Sequence, residues 1–194
     1  MKNLLRPAIS LLLLMSLLTG VLYPLAVTGV GQMLFPAQAA GSLLTRGKQV
    51  VGSSLIGQNF AGAAYFWSRP SATGPMPYNA ANSGGSNLGP TNPALMDAVK
   101  ARVASARSAH PGQSGAVPTD LVTASASGLD PHISPAAAAY QVQRVANARK
   151  IEPEQVRKLI DQATEAPQWG LFGDARVNVL QLNLALDDLK QPEK

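Results

Sequence analysis

Asp120, Thr123, Ser125, Ser127, Asp130 and His132 fall within one short stretch and supply the residue types of a Ser-His-acid hydrolase. Such chemistry also needs a nucleophile on a tight elbow and an oxyanion hole, and neither Ser125 nor Ser127 sits in a Gly-x-Ser-x-Gly frame. The same residue types serve equally as a loop whose short polar side chains bond the local backbone and cap the following helix, and this is the preferred reading. A second stretch, Ser83-Gly84-Gly85-Ser86-Asn87-Leu88-Gly89, could offer backbone amides to a phosphate, with Gln58 as a further nucleotide candidate. It lacks the Gly-Lys-Ser/Thr ending and a preceding buried strand, so a surface loop is the competing account.

Metal chemistry finds little support. His110 and His132 are the only histidines, His110 falls in a helix-ending Pro-Gly turn, and the chain has no cysteine to act as thiolate ligand or form a disulfide. The first carboxylate is Asp97, so the preceding half holds no acidic cage for a hard cation. The net charge of +5 is spread thinly, with five basic residues before Asp97 and eleven after it balancing eleven carboxylates. Dispersed bases and few aromatics argue against a nucleic-acid partner. Trp67, Arg69 and Arg176 are instead of the types that anchor protein contacts, while Trp67 and Trp169 could equally be part of a core.

The elements that must position these residues begin with an anchor. No charged residue lies between Arg6 and Arg46, and residues 8–35 form an apolar run long enough to cross a bilayer as a helix. Gly20, Pro24, Gly29 and Gly31 are tolerated in such a span, where small residues let a neighbouring helix approach. Ala37-Gln38-Ala39 has the small-residue pattern of a signal cleavage site, but the apolar run exceeds the 7–15 residues of a signal h-region, so retention of the span is expected. Lys2 and Arg6 keep residues 1–7 in the cytoplasm by the positive-inside rule; Arg46 and Lys48 weaken that bias without removing it, and both could meet anionic headgroups. Residues 36–194 then form a single periplasmic α+β domain with more helix than strand.

Within that domain, residues 42–53 read as two strands around an Arg-Gly-Lys turn, with Leu55 and Ile56 continuing the pairing. Residues 64–67 read as an aromatic strand stopped by Pro70. The Gly, Pro, Ser and Asn-rich stretch up to Pro93 is a loop of a length that, in a compact domain, is either functional or disordered, and its place beside the Tyr and Trp cluster favours function. Asn92-Pro93 and Ser134-Pro135 are helix-start signals for helices to about Ala109 and Lys150, and Glu152-Pro153 opens a third with Val156, Ile160 and Ala163 on one face. Leu121–Thr123 is a short β-like run. Residues 177–189 fit both strand alternation and a helical face; the Asp187-Asp188 pair favours helix after a short strand at Arg176-Val177. No internal repeat is visible.

Six ordered segments carry a resemblance. They are Leu22-Tyr23-Pro24-Leu25, Gly52-Ser53-Ser54-Leu55-Ile56-Gly57-Gln58, residues 65–72 (Tyr-Phe-Trp-Ser-Arg-Pro-Ser-Ala), residues 83–90 (Ser-Gly-Gly-Ser-Asn-Leu-Gly-Pro), residues 120–135 from Asp120 to Pro135, and Arg176-Val177-Asn178-Val179-Leu180. Together, over nearly the whole chain, they resemble the C subunits of Kdp-type potassium-transporting P-type ATPases. The resemblance implies a non-catalytic accessory subunit of a bacterial inner-membrane potassium uptake pump. The implied partners are a channel-like potassium-binding subunit, the catalytic P-type ATPase subunit, a small membrane subunit and the lipid bilayer. It implies no tightly bound cofactor, with ATP a ligand of the complex whose affinity this subunit raises as a catalytic chaperone. Tyr23, Pro24, Asp130 and His132 join Trp67, Arg69 and Arg176 as interface candidates.

Topology opposes direct ATP contact, because ATP is cytoplasmic and the domain is expected outside. An indirect effect, in which the subunit favours one conformation of the complex, is compatible with that orientation. The alternatives are a module touching ATP through Gln58 and residues 83–89, and a tethered hydrolase using Ser125 and His132.

Overall fold

Pro24 shapes the first element. Proline has no N–H to donate and its ring crowds the carbonyl four residues back, which favours a break in the regular α-helical ladder just before it, although α1 accommodates Pro7 near its start. In the computed structural model, which describes residues 2–189, helix α1 (Lys2–Leu17) gives way to a π-helical turn at Leu18–Leu22, and α2 (Tyr23–Leu34) resumes beyond it. Tyr23 N–H donates to Leu18 O, five residues back, and the Thr19 hydroxyl donates to Met15 O at 2.7 Å. The helical run Leu4–Leu34 is 31 residues long, apolar enough to cross a membrane, and has no buried residue. A single turn, α3 (Pro36–Ala39), carries the Ala37-Gln38-Ala39 sequence. Strands β1 (Leu43–Arg46) and β2 (Gln49–Ser53) pair around Gly47-Lys48, as their composition predicts. Pairing stops there: Ile56 N–H turns back onto Ser53 O, so Leu55 and Ile56 do not extend it.

The chain divides after Val51 into two units. The second is α+β. It contains α4 (Pro93–Ala109), β3 (His132–Ile133), α5 (Pro135–Arg149), α6 (Pro153–Ala163), β4 (Thr164–Glu165), β5 (Arg176–Asn178) and α7 (Val179–Asp188). The three strands form an antiparallel sheet in the order β3-β5-β4, with Ile133 opposite Val177 and Thr164 opposite Val177 on the other side. Val142, Val145, Val156, Ile160, Val177, Val179, Leu182 and Leu186 fill the core that α5, α6, α7 and the sheet share. Ala137, Ala138 and Ala146, also buried, give α5 a smooth inner face.

Helix starts follow the sequence signals. Asn92 and Ser134 side chains accept from the amides of Ala94 and Ala137, and each has proline at the next position. Asn178 caps α7 by accepting from Gln181 N–H at 3.1 Å, so residues 176–189 are a short strand running directly into a helix. Two expected strands are absent. Thr119–Leu121 is a 3-10 turn closed by Val122 N–H onto Thr119 O, and residues 64–67 form no strand: Ala64 and Tyr65 belong to a turn and a bend, with Tyr65 N–H donating to Gly62 O. Lys190, Glu193 and Lys194, counted in the charge balance, lie outside the described residues.

Candidate functional site

At Phe66 and Trp67, side chains stand in for a neighbouring strand. Asn183 on α7 accepts from Phe66 N–H at 2.8 Å and donates back to Phe66 O at 3.0 Å. Gln141 on α5 does the same for Trp67, accepting from its N–H at 2.8 Å and donating to its carbonyl at 3.1 Å. Both amides are buried, as is the Phe66 ring, so each satisfies a donor and an acceptor that water does not reach. Arg144, one turn beyond Gln141, donates to the carbonyls of Ala63 and Tyr65 and to Gln141 Oε1. Its guanidinium lies 4.2 Å from the Trp67 ring centroid, a cation–π contact, and burial pushes its pKa down to about 10.

His110 completes this network. Its Nδ1 lies 2.6 Å from Ala106 O, which can only accept, so Nδ1 carries the proton; Nε2 accepts from Arg144 Nε at 2.9 Å. Burial, countered in part by the Ala106 carbonyl and reinforced by the Arg144 charge, holds His110 below its ordinary pKa of 6.5.

The clamped segment delivers Arg69. Its guanidinium donates to Asp130 Oδ2 at 2.9 Å, and the other Asp130 oxygen accepts from the His132 backbone N–H at 3.0 Å and faces His132 Nδ1 at 3.3 Å. Burial alone would raise the Asp130 pKa, but the His132 hydrogen bonds and the Arg69 charge outweigh it and hold the carboxyl below its ordinary range. Arg176, across the sheet end, pairs with Glu165 at 2.9 Å. Arg69, Asp120, Asp130, His132, Asp174 and Arg176 thus line one cleft of about 380 Å³. Four of the interface candidates, Arg69, Asp130, His132 and Arg176, meet there from three separated segments. The Arg69–Asp130 pair also borders a larger cleft of about 640 Å³ lined by Leu55, residues 124–127 and Leu129. With its cations bonded to carboxylates, the arrangement is a fixed, mixed-charge surface suited to orienting a partner.

The nucleotide candidates are not brought together. Gln58 lines a separate cleft of about 370 Å³ with Gly52, Gly57 and Tyr78, and none of Ser83, Gly84, Gly85 or Ser86 borders it. The Ser83–Gly89 loop is instead laid against the polar stretch. Gly84 N–H and the Ser83 hydroxyl both donate to Ser127 O, and a Cβ on Gly85 would come within 3.0 Å of Ala126 O. The Gly84 amide, central to any phosphate cradle, is already committed.

The hydrolase candidates are placed no better. Ser125 Oγ accepts from Gly128 N–H at 2.9 Å, Ser127 Oγ accepts from Leu129 N–H at 3.1 Å, and His132 turns to Asp130 rather than to either serine. Asp120 caps the approach to α5 by accepting from Ser134 N–H. These are the local backbone bonds expected of a capping loop.

Trp67 is half-buried, bonded through its indole N–H to Gly62 O, whereas Trp169 is exposed. Tyr23 and Pro24 open α2 on the exposed helix. Sequence reading missed Gln141, Arg144 and Asn183. The available signal was a polar residue on a buried helical stripe, as Asn183 is between Leu182 and Leu186.

The family model described as "K+-transporting ATPase, c chain" matches residues 5–188. A protein of Polaromonas naphthalenivorans (strain CJ2), called Potassium-transporting ATPase KdpC subunit, is 68% identical over 190 residues, 98% of this chain and 97% of its own. Proteins of the same name from Variovorax paradoxus (strain S110) and Dechloromonas aromatica (strain RCB) are 64% and 60% identical, over 96% and 98% of this chain and 97% and 100% of theirs. The match runs through the apolar helix, the clamped segment, the mixed-charge cleft and α7, and the chain belongs to the family of KdpC subunits, the c chains of K+-transporting ATPases.

Proposed function

We propose that the chain is a non-catalytic accessory subunit of an ATP-driven potassium uptake pump in the bacterial inner membrane. The carrying observation is the near full-length identity to proteins named as KdpC subunits of a potassium-transporting ATPase. The helix over Leu4–Leu34 is its membrane span, with the N-terminus cytoplasmic and the domain periplasmic; Lys2 and Arg6 ahead of the span support that orientation. The domain caps the outer face of the potassium-binding subunit through the mixed-charge surface around Arg69 and Asp130, and the span packs within the complex.

Its influence on ATP affinity is indirect, through the conformation of the complex. Two observations support this over direct contact: no residue of the Ser83–Gly89 loop borders the cleft that Gln58 lines, and the Gly84 amide is held by Ser127. The chain has no cysteine, so Ser86→Cys introduces a unique label site. Membrane-impermeant maleimide applied to the periplasmic side of intact cells should label it. Protection there, with labelling only after the inner membrane is opened, would put the loop on the ATP side and reverse the reading.

A further inference from the structure

The β4–β5 hairpin ends in residues 166–173, Ala-Pro-Gln-Trp-Gly-Leu-Phe-Gly, without a single charge. Gln168 and Phe172 exchange backbone hydrogen bonds of 2.9 and 3.0 Å, which closes a tight tip. Inside it, Trp169 has φ of 55° and Gly170 of 73°. A left-handed bulky residue is strained, and such strain persists where display of the side chain is useful. What is displayed is apolar: Trp169 is 84% exposed, Leu171 77% and Phe172 57%, with the Trp169 and Phe172 rings edge to face at 5.9 Å. At the base of the tip stand Asp174 and the Glu165–Arg176 ion pair.

We propose that this tip inserts into the headgroup and upper acyl region of the bilayer that carries the chain's own span. The inference rests on reading Leu4–Leu34 as that span. Three features choose lipid over a protein pocket. A convex tip of contiguous Trp, Leu and Phe needs no complementary cavity in a fluid. Tryptophan favours the membrane boundary, where its ring leaves water while its N–H stays solvated. The charged base would stop entry at interfacial depth. Residues 35–51 alone separate the end of α2 from the second unit, so the second unit begins within about 60 Å of the end of the span even with that tether fully extended.

Trp67 and Trp169 are the only tryptophans, and neither lies in the span, so the difference between the wild type and Trp169→Phe isolates the tip. The full chain is reconstituted in phosphatidylcholine–phosphatidylglycerol vesicles, with and without acyl-brominated lipid, and with iodide on both sides. The expected Trp169 emission is shifted to shorter wavelength, quenched by brominated chains and shielded severalfold from iodide. The double change Leu171→Ser with Phe172→Ser should abolish all three effects. The proposal is overturned if the chain floats with vesicles while Trp169 stays open to iodide and untouched by brominated lipid, or if shielding arises only in the assembled pump. A chain that does not float at all would refute the span, and insertion of the tip with it.

Discussion

Replacing Asn183 with leucine tests whether a side-chain amide really takes the place of a strand. The substitution keeps the number and branching of the side-chain heavy atoms and removes both partners of Phe66, whose N–H and C=O sit where Asn183 is 1% exposed and Phe66 fully buried. Each backbone group left unsatisfied costs about 1–3 kcal/mol, and the extra apolar surface of leucine recovers part of the sum, leaving a net loss of about 2–4 kcal/mol. Against a typical margin of about 5–15 kcal/mol this is large. A urea titration of the full chain in detergent, followed by tryptophan emission, measures it. Hydrogen exchange at the Phe66 amide should accelerate in parallel.

The companion change Asn183→Asp keeps the acceptor for Phe66 N–H but turns an oxygen toward Phe66 O. It should destabilise at neutral pH and recover relative to wild type on acidification, when the protonated carboxyl can donate again. A stability for Asn183→Leu within about 0.5 kcal/mol of wild type would refute the reasoning, since the 64–67 segment would then be held by something else.

His110 makes stability pH-dependent. Its folded pKa is below 6.5, so as pH falls past that value the unfolded chain takes up a proton that the folded chain refuses. Stability is whole above about pH 6.5 and declines below it, by up to about 1.4 kcal/mol per pH unit, until the folded pKa is reached. The decline should flatten in His110→Gln when urea midpoints are compared across that window. Gly57 separates Tyr78 from the Asp130 carbonyl: a Cβ there would strike the Tyr78 ring and come within 2.8 Å of Asp130 O, so Gly57→Ala should cost about 1–3 kcal/mol. At Gly62 the nearest atom to a Cβ is a Tyr65 ring carbon at 3.4 Å, and Gly62→Ala should leave the urea midpoint nearly unchanged.

Helices announced themselves in the sequence wherever a cap met a periodic face. Asn92-Pro93 and Ser134-Pro135 did so, and the Asp187-Asp188 pair favoured helix over strand at the end of α7. Strands were harder to read. Tyr65-Phe66-Trp67 has strand composition, yet the backbone partners of Phe66 and Trp67 are side chains from 117 and 74 residues away, a pairing no local pattern encodes. Leu121 to Thr123 looked β-like through branching alone, whereas Pro118 ahead of it and the local bonds onto Thr119 O make a turn. For the site, residue type identified Arg69 and Arg176, and the motif resemblance added Asp130 and His132. The antiparallel register of β3 and β5 brings Asp130 and His132 beside Arg176, and the clamped segment brings Arg69 to the same cleft. The loop at residues 83–89 was legible as glycine-rich but not as something laid onto Ser127, because that contact depends on long-range folding.

The wide turn at Leu18–Leu22 bears on how the span can be shared between neighbours. One extra residue taken up in a helical turn rotates everything beyond it by about 100° relative to an unbroken α-helix. Residues on α1 and α2 that a helical wheel would align therefore face different directions, and those it would separate come into line. Tyr23 and Pro24 begin a new azimuth rather than continuing the old one. A single helix with one break in phase can address two different surfaces at two depths, each by its own stripe.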